Sequence, residues 1–108
     1  MKLLNFTFLA TYFCGVALYA QETSVFVVKP YLQDANPTEI TVMWETSLGE
    51  ESVVEFGTSP KLGKKAVGGA EDINFGPSRI HEVKLTGLKR FTTYYYRVKT
   101  DKLVSDIY

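Results

Sequence analysis

The sequence TTYYYRVKT at residues 92–100 carries the strongest β-strand pattern in the chain. It is rich in aromatic and β-branched residues, and Tyr94, Tyr96 and Val98 share one face of the predicted strand. A period of two is typical of a strand that buries one face and exposes the other. The stretch therefore indicates a β-sheet protein with aromatic side chains in its core.

Shorter strand patterns flank this stretch, and turn-forming residues separate them. The predicted strands cover residues 25–29, 38–46, 52–56, 79–86 and 103–108, and the Gly-rich residues 61–76 are expected to form one or two short edge strands and loops. Pro30 follows the first strand, which we therefore expect at a sheet edge or with a kink. No segment shows a useful helical period. Six or seven strands at this spacing predict an all-β fold, an antiparallel β-sandwich.

The same alternation selects residues for the structural core. Trp44 lies on the apolar face of the strand at 38–46, and His81 alternates with apolar residues in the strand at 79–86. Together with Tyr94 and Tyr96, they are the predicted structural core. His81 is the only histidine, so we expect it to have a structural or interface role, with metal or catalytic contact as the alternative.

Length and charge exclude several classes of function. The chain has 108 residues, which allows one domain, and its 12 Lys and Arg balance 12 Asp and Glu. The absence of net charge argues against nucleic-acid binding, which requires a clustered basic face. One histidine and one cysteine are too few for a metal site with three or four nitrogen and sulfur ligands.

The first 20 residues resemble an export signal. Lys2 precedes an uncharged apolar run at residues 3–18, which ends in small residues before polar ones. The run is too short for a membrane-spanning anchor, which needs about 20 residues. We therefore predict a signal peptide at residues 1–20, a secreted or periplasmic product, and no membrane attachment after cleavage. The mature domain, residues 21–108, contains no cysteine because Cys14 is removed with the signal.

The sequence LTGLKRFTTYYYRV at residues 85–98 resembles the corner between the fifth and sixth strands of fibronectin type III-like sandwiches. Trp44 also matches that family. The resemblance implies that Tyr94 packs in the core while its hydroxyl binds the upstream backbone. Arg90 and Phe91 stand where that family usually has Pro and Gly, which suggests a looser turn.

Five segments narrow the resemblance further. In order, they are KPYLQ at 29–33, TEITVMWET at 38–46, VVEFG at 53–57, HEVKLTGL at 81–88 and YYYRV at 94–98. Together they resemble the N-terminal domain of purple acid phosphatases and related secreted bacterial metallophosphoesterases. The resemblance covers nearly all of residues 24–108, and it predicts that the domain is truncated at its C-terminal end, with part of its last strand missing.

This resemblance also implies a partner and a cofactor that lie outside the chain. In the family, a catalytic metallophosphoesterase domain follows in cis, binds two metal ions (iron with iron, zinc or manganese) and hydrolyses phosphate monoesters. Residues 21–108 contain none of its metal-ligand motifs. We therefore predict no catalytic and no metal-binding residue in this chain, and count an active phosphatase formed by these residues alone as the least favoured hypothesis.

A docking surface is the remaining prediction for the site. Tyr95 and Arg97 point away from the predicted core, and Tyr31 and Phe91 are further candidates for exposed aromatic contacts. We expect these four residues to contact the catalytic domain. Simple cross-strand packing is one alternative. Another is an accessory fibronectin type III-like module that binds a protein partner or a glycan.

Overall fold

The computed structural model describes residues 23–73 and 76–108, and the predicted signal peptide at residues 1–20 lies outside them. The described residues form eight β-strands and no helix. This is one strand more than the predicted six or seven, because the Gly-rich residues 61–76 contribute two short strands. The strands are β1 (Phe26–Asn36), β2 (Glu39–Thr46), β3 (Val53–Gly57), β4 (Lys64–Val67), β5 (Gly69–Asp72), β6 (Arg79–Leu85), β7 (Tyr95–Thr100) and β8 (Leu103–Val104).

The strands form two antiparallel sheets of four strands each. The first sheet has the order β1-β2-β6-β5, and the second has the order β4-β3-β7-β8. Apolar side chains from both sheets meet between them, which confirms the predicted β-sandwich. The buried core contains Val42, Trp44, Val54, Phe56, Val83, Leu85 and Val98.

Strand β1 is longer than its sequence pattern suggested. It continues through Pro30 and ends at Asn36, next to a turn formed by Pro37 and Thr38. The side-chain oxygen of Asn36 accepts a hydrogen bond from the Thr38 backbone N–H at 3.0 Å, which closes this turn. The proline is tolerated because β1 is an edge strand, and its pairing with β2 shifts register between Val28 and Tyr31. The predicted edge position and irregularity are both present.

Strand β7 begins three residues later than predicted, because the chain first turns a corner. The hydroxyl of Tyr94 accepts a hydrogen bond from the Lys89 backbone N–H at 2.9 Å. This bond anchors the chain just before Tyr95, where the β7 ladder starts. The corner has the arrangement that the fibronectin type III-like resemblance implied for Tyr94.

The last residues run beside β7 beyond the end of β8. The backbone groups of Tyr96 and Tyr108 exchange two hydrogen bonds, and Ser105 N–H donates to the Val98 carbonyl. One residue separates Tyr96 from Val98 on β7, whereas two separate Ser105 from Tyr108, so the final segment contains a β-bulge. The Ser105 hydroxyl accepts a hydrogen bond from the Val98 N–H at this bulge. That the domain is truncated after this segment stays a prediction.

A single glycine carries the chain from one sheet to the other. Gly68 lies between β4 in the second sheet and β5 in the first, and its N–H donates to the Ser52 carbonyl at 2.9 Å. A Cβ atom at Gly68 would lie 1.9 Å from the Glu82 carbonyl oxygen, so no other residue fits this approach. The crossing closes one long side of the sandwich. The edge strands β1 and β8 border the opposite side.

Candidate functional site

The four residues predicted to form a docking surface lie in three different places. Tyr31 pairs with Met43, which alternates with buried residues of β2, so Tyr31 is on the outer face of the first sheet. Tyr95 and Arg97 are on the outer face of β7 in the second sheet. Phe91 lies in the connection between β6 and β7. The four side chains therefore do not form one patch.

Arg97 is engaged by a neighbouring strand. Its Nε donates to Glu55 Oε1 at 2.9 Å, and Glu55 is the residue opposite Arg97 in the β3–β7 ladder. This hydrogen bond, together with the positive charge of Arg97, lowers the pKa of Glu55. The contact is the cross-strand pair that the sequence offered as the alternative. A docking role for Arg97 stays a prediction.

Phe91 combines full exposure with an unfavourable backbone conformation. Its φ angle is 51°, in the left-handed region that favours glycine, and no part of its side chain is shielded from solvent. A large residue in this region costs about 1–2 kcal/mol relative to the right-handed conformation. The position is the one where fibronectin type III-like domains usually have glycine. Folding of the isolated domain therefore gains nothing from this phenylalanine.

Replacing Phe91 with glycine is therefore expected to stabilise the domain. We expect the free energy of unfolding to rise by about 0.5–1 kcal/mol, since relief of strain exceeds the extra entropy of glycine in the unfolded chain. Urea denaturation followed by circular dichroism measures the change. Lys89→Gly, at an exposed position without a positive φ angle, is the control and should not stabilise. A lower denaturation midpoint for Phe91→Gly would contradict the strain argument.

An apolar groove opens between the sheets beside Phe91. It has a volume of about 420 Å³ and lies between the second half of β1 and the corner that precedes β7. Its apolar lining includes Leu32, Ile40, Leu88, Phe91, Tyr94 and Tyr96. Lys89 and Glu39 are the charged residues at its border. The groove can accept an apolar side chain, and sequence reasoning did not identify it.

His81 lies at the centre of a buried polar cluster. Its Nε2 is 2.7 Å from Thr46 Oγ1, its Nδ1 is 2.6 Å from Ser52 Oγ, and its ring stacks on Trp44 with centroids 5.0 Å apart. Trp44 Nε1–H donates to Thr100 Oγ1 at 2.9 Å. The cluster joins the two sheets through two polar contacts, since Ser52 precedes β3 and Thr100 belongs to β7.

This cluster has no access to a substrate. His81 and Thr46 have no exposed surface, and Ser52 is 2% exposed. Burial, followed by the positive charge of Arg79, lowers the pKa of His81, so the ring is neutral at pH 7. A neutral imidazole donates through one nitrogen and accepts through the other, which satisfies both hydroxyl partners. These contacts link the two sheets, and the structural role of His81 stays a prediction.

The described residues contain neither a metal-ligand cluster nor a membrane-spanning helix. Residues 23–73 and 76–108 contain no group of three His, Cys, Asp or Glu side chains that could hold a metal ion. They therefore do not fit the two-metal centre that the resemblance implies for the family. Within the same ranges, no helix has the length and apolar character needed to cross a membrane.

Comparison with known proteins identifies the domain. The family model described as "Purple acid Phosphatase, N-terminal domain" matches residues 27–108, which include all eight strands except the first residue of β1. No curated protein matched the chain. The match includes the Trp44–His81 cluster, the Tyr94 corner and the groove. This chain therefore belongs to the family of N-terminal domains of purple acid phosphatases.

Proposed function

We propose that the chain is the non-catalytic N-terminal sandwich of a secreted purple acid phosphatase-like metallophosphoesterase. In this proposal, a catalytic domain follows in cis, binds two metal ions and hydrolyses phosphate monoesters. The sandwich contacts that domain and supplies no reacting group. The family match over residues 27–108 is the observation that carries the proposal.

The contacts of the acidic residues and of the histidine support a non-catalytic sandwich. A two-metal centre needs several carboxylate, imidazole and amide ligands at short distances around both ions. The acidic residues Glu50 and Asp72 are instead joined by Arg79, and Glu55 binds Arg97. His81 is enclosed in the core. The residues that hold metals and move protons are therefore assigned to the domain that follows.

Expression of two proteins tests the proposal. We expect the protein encoded by the complete gene to hydrolyse a chromogenic phosphate monoester and to lose this activity when a chelator removes its metals. A protein limited to residues 21–108 should have no activity above that of a mock purification. The proposal fails if the sequence beyond Tyr108 encodes no metallophosphoesterase domain, or if residues 21–108 hydrolyse the ester alone.

Export is tested separately. The proposal requires removal of residues 1–20, and mass spectrometry of the protein from the culture medium or periplasm should show a mature N-terminus near Gln21. An intact N-terminus on a protein retained in the cytoplasm would remove the secreted location. It would leave the proposed contact with a catalytic domain unaffected.

Phe91 favours a second candidate function, an accessory module that binds a protein or a glycan. A fully exposed aromatic ring on a strained turn can stack on a sugar face. Glycan-array binding that Phe91→Gly abolishes would support this function. Unchanged binding by Phe91→Gly, or no binding by the unaltered chain, would exclude Phe91 as a glycan contact.

A further inference from the structure

The exposed apolar residues are concentrated on the two edge segments that border one side of the sandwich, β1 and the C-terminal segment. Among the described residues, ten large hydrophobic side chains are exposed, and eight of them belong to β1, the residue before it, or the last six residues. We call these eight residues the open edge. They are Val25, Val27, Val28, Tyr31, Leu32, Val104, Ile107 and Tyr108. Clustering of this kind on a folded domain indicates an interaction surface.

The two segments that carry the open edge are neighbours in space. A cleft of about 120 Å³ lies between them and is lined by Phe26 and Lys29 of β1 and by residues of the last segment, including Val104 and Tyr108. The opposite side of the sandwich is covered by the chain where it crosses at Gly68. The two sides therefore differ: the chain covers one of them, whereas most of the exposed apolar side chains border the other.

Backbone pairing with a β-strand of a partner does not explain why these side chains are exposed. Pro30 has no N–H to donate, and the register of β1 shifts between Val28 and Tyr31. On the other strand, the bulge after Ser105 interrupts the regular spacing of hydrogen bonds. Both features discourage another strand from pairing at an edge. A partner would therefore cover the open edge through side-chain packing.

The open edge is continuous with the groove between the sheets. Leu32 belongs to the open edge and also lines the groove. Tyr96 lines the same groove, and its ring packs against that of Tyr108 at a centroid distance of 5.5 Å. The apolar surface therefore extends from the exposed side chains of β1 into the space between the sheets. A partner that covers the edge can also place a side chain in the groove.

We propose that the open edge is the surface on which the following catalytic domain packs. This inference rests on the proposed function. Tyr108 lies within the edge and its backbone pairs with Tyr96, so a polypeptide that continues from Tyr108 emerges onto this surface. A tethered domain is held at high effective concentration next to its attachment point, which favours contact there. The apolar character of the edge requires an apolar face on the catalytic domain.

Single cysteines in the full-length protein test this inference. Residues 21–108 contain no cysteine, so Val28→Cys and Val104→Cys introduce one probe on each strand of the open edge. Val67→Cys is the matched control, because Val67 is an exposed valine on an edge strand at the other side of the sandwich. Each variant is labelled with a maleimide in the native and the denatured state.

We expect native labelling at positions 28 and 104 to be at least about tenfold slower, relative to the denatured rate, than at position 67. Without a covering domain the difference should be small, since the valines at 28 and 104 are each 43% exposed and Val67 is 71% exposed. Similar rates at all three positions in an enzyme that still hydrolyses phosphate esters would overturn the inference and leave the proposed function intact.

The oligomeric state distinguishes a second copy of the chain from the catalytic domain as the partner that covers the open edge. If sedimentation shows a dimer, and protection of positions 28 and 104 is lost upon dilution, a second copy covers the open edge and the inference is wrong. Protection that persists in a monomer supports packing of the catalytic domain in cis. Absence of phosphatase activity in every variant and in the unaltered protein would instead contradict the proposed function.

Discussion

Replacing Trp44 with alanine is expected to lower the free energy of unfolding of the domain by about 3–5 kcal/mol. The indole has no exposed surface, stacks on His81 with an interplanar angle of 9°, and contacts the centre of the core. Its removal leaves a large cavity between the sheets. It also removes the partner of the buried Thr100 hydroxyl. A change of this size is comparable to the total stability of a small domain.

Two matched variants separate packing from hydrogen bonding in this prediction. Trp44→Phe retains much of the apolar volume but leaves the Thr100 hydroxyl unpaired, and we expect a loss of about 1–3 kcal/mol. Val67→Ala, at an exposed position, should change stability by less than about 0.5 kcal/mol. Urea denaturation followed by circular dichroism measures all three. A loss below about 1 kcal/mol for Trp44→Ala would contradict the central role of the indole.

The second large effect is a dependence of stability on pH that originates from His81. Burial lowers the pKa of His81 in the folded domain below the value of about 6.5 that a histidine has in an unfolded chain. The unfolded state therefore binds more protons as the pH falls below about 6.5. The free energy of unfolding should decrease over this range by up to about 1.4 kcal/mol per pH unit, until the pH falls below the folded pKa. Above about pH 7.5, where the histidine is deprotonated in both states, His81 should contribute almost no pH dependence.

His81→Phe tests the origin of this dependence. Phenylalanine retains a ring that can stack on Trp44 but cannot titrate, so the contribution from position 81 should vanish. The variant should also be less stable at pH 8, by about 1–3 kcal/mol for each of the Ser52 and Thr46 hydroxyls left unpaired. The difference between the two proteins isolates the contribution of position 81, because contributions from groups that both proteins retain largely cancel. An identical slope below pH 6.5 in both proteins would disprove the assignment.

The alternation of apolar and polar residues was sufficient to predict most of the sandwich. Strands β2 and β6 pair in a regular register, Trp44 opposite His81 and Val42 opposite Val83, so their period of two is uninterrupted. Strand β1 was underestimated because its edge position allows a proline and register shifts that a central strand would exclude. The start of β7 was predicted too early. The hydrogen bond that the Lys89 N–H donates to the Tyr94 hydroxyl fixes a corner there, and this outweighs the strand propensity of the two preceding threonines.

The site was less predictable than the fold, for a physical reason. A strand pattern reveals which residues share a face of their own strand, but it does not reveal which sheet the strand joins. Tyr31 and Tyr95 were therefore grouped as one surface, although β1 and β7 belong to different sheets. The consecutive apolar residues 25–28, at a position where a regular strand would alternate, were a signal that both faces of this segment are apolar.

The crossing at Gly68 also determines how the domain comes apart. Only one residue separates β4 from β5, so the position of an edge strand in one sheet sets the position of an edge strand in the other. The Trp44–Thr100 and His81–Ser52 contacts then join the sheets across the core. Neither sheet can shift its register or separate without breaking these connections. Loss of one layer should therefore entail loss of the other, and we expect the domain to unfold cooperatively in a single all-or-none transition.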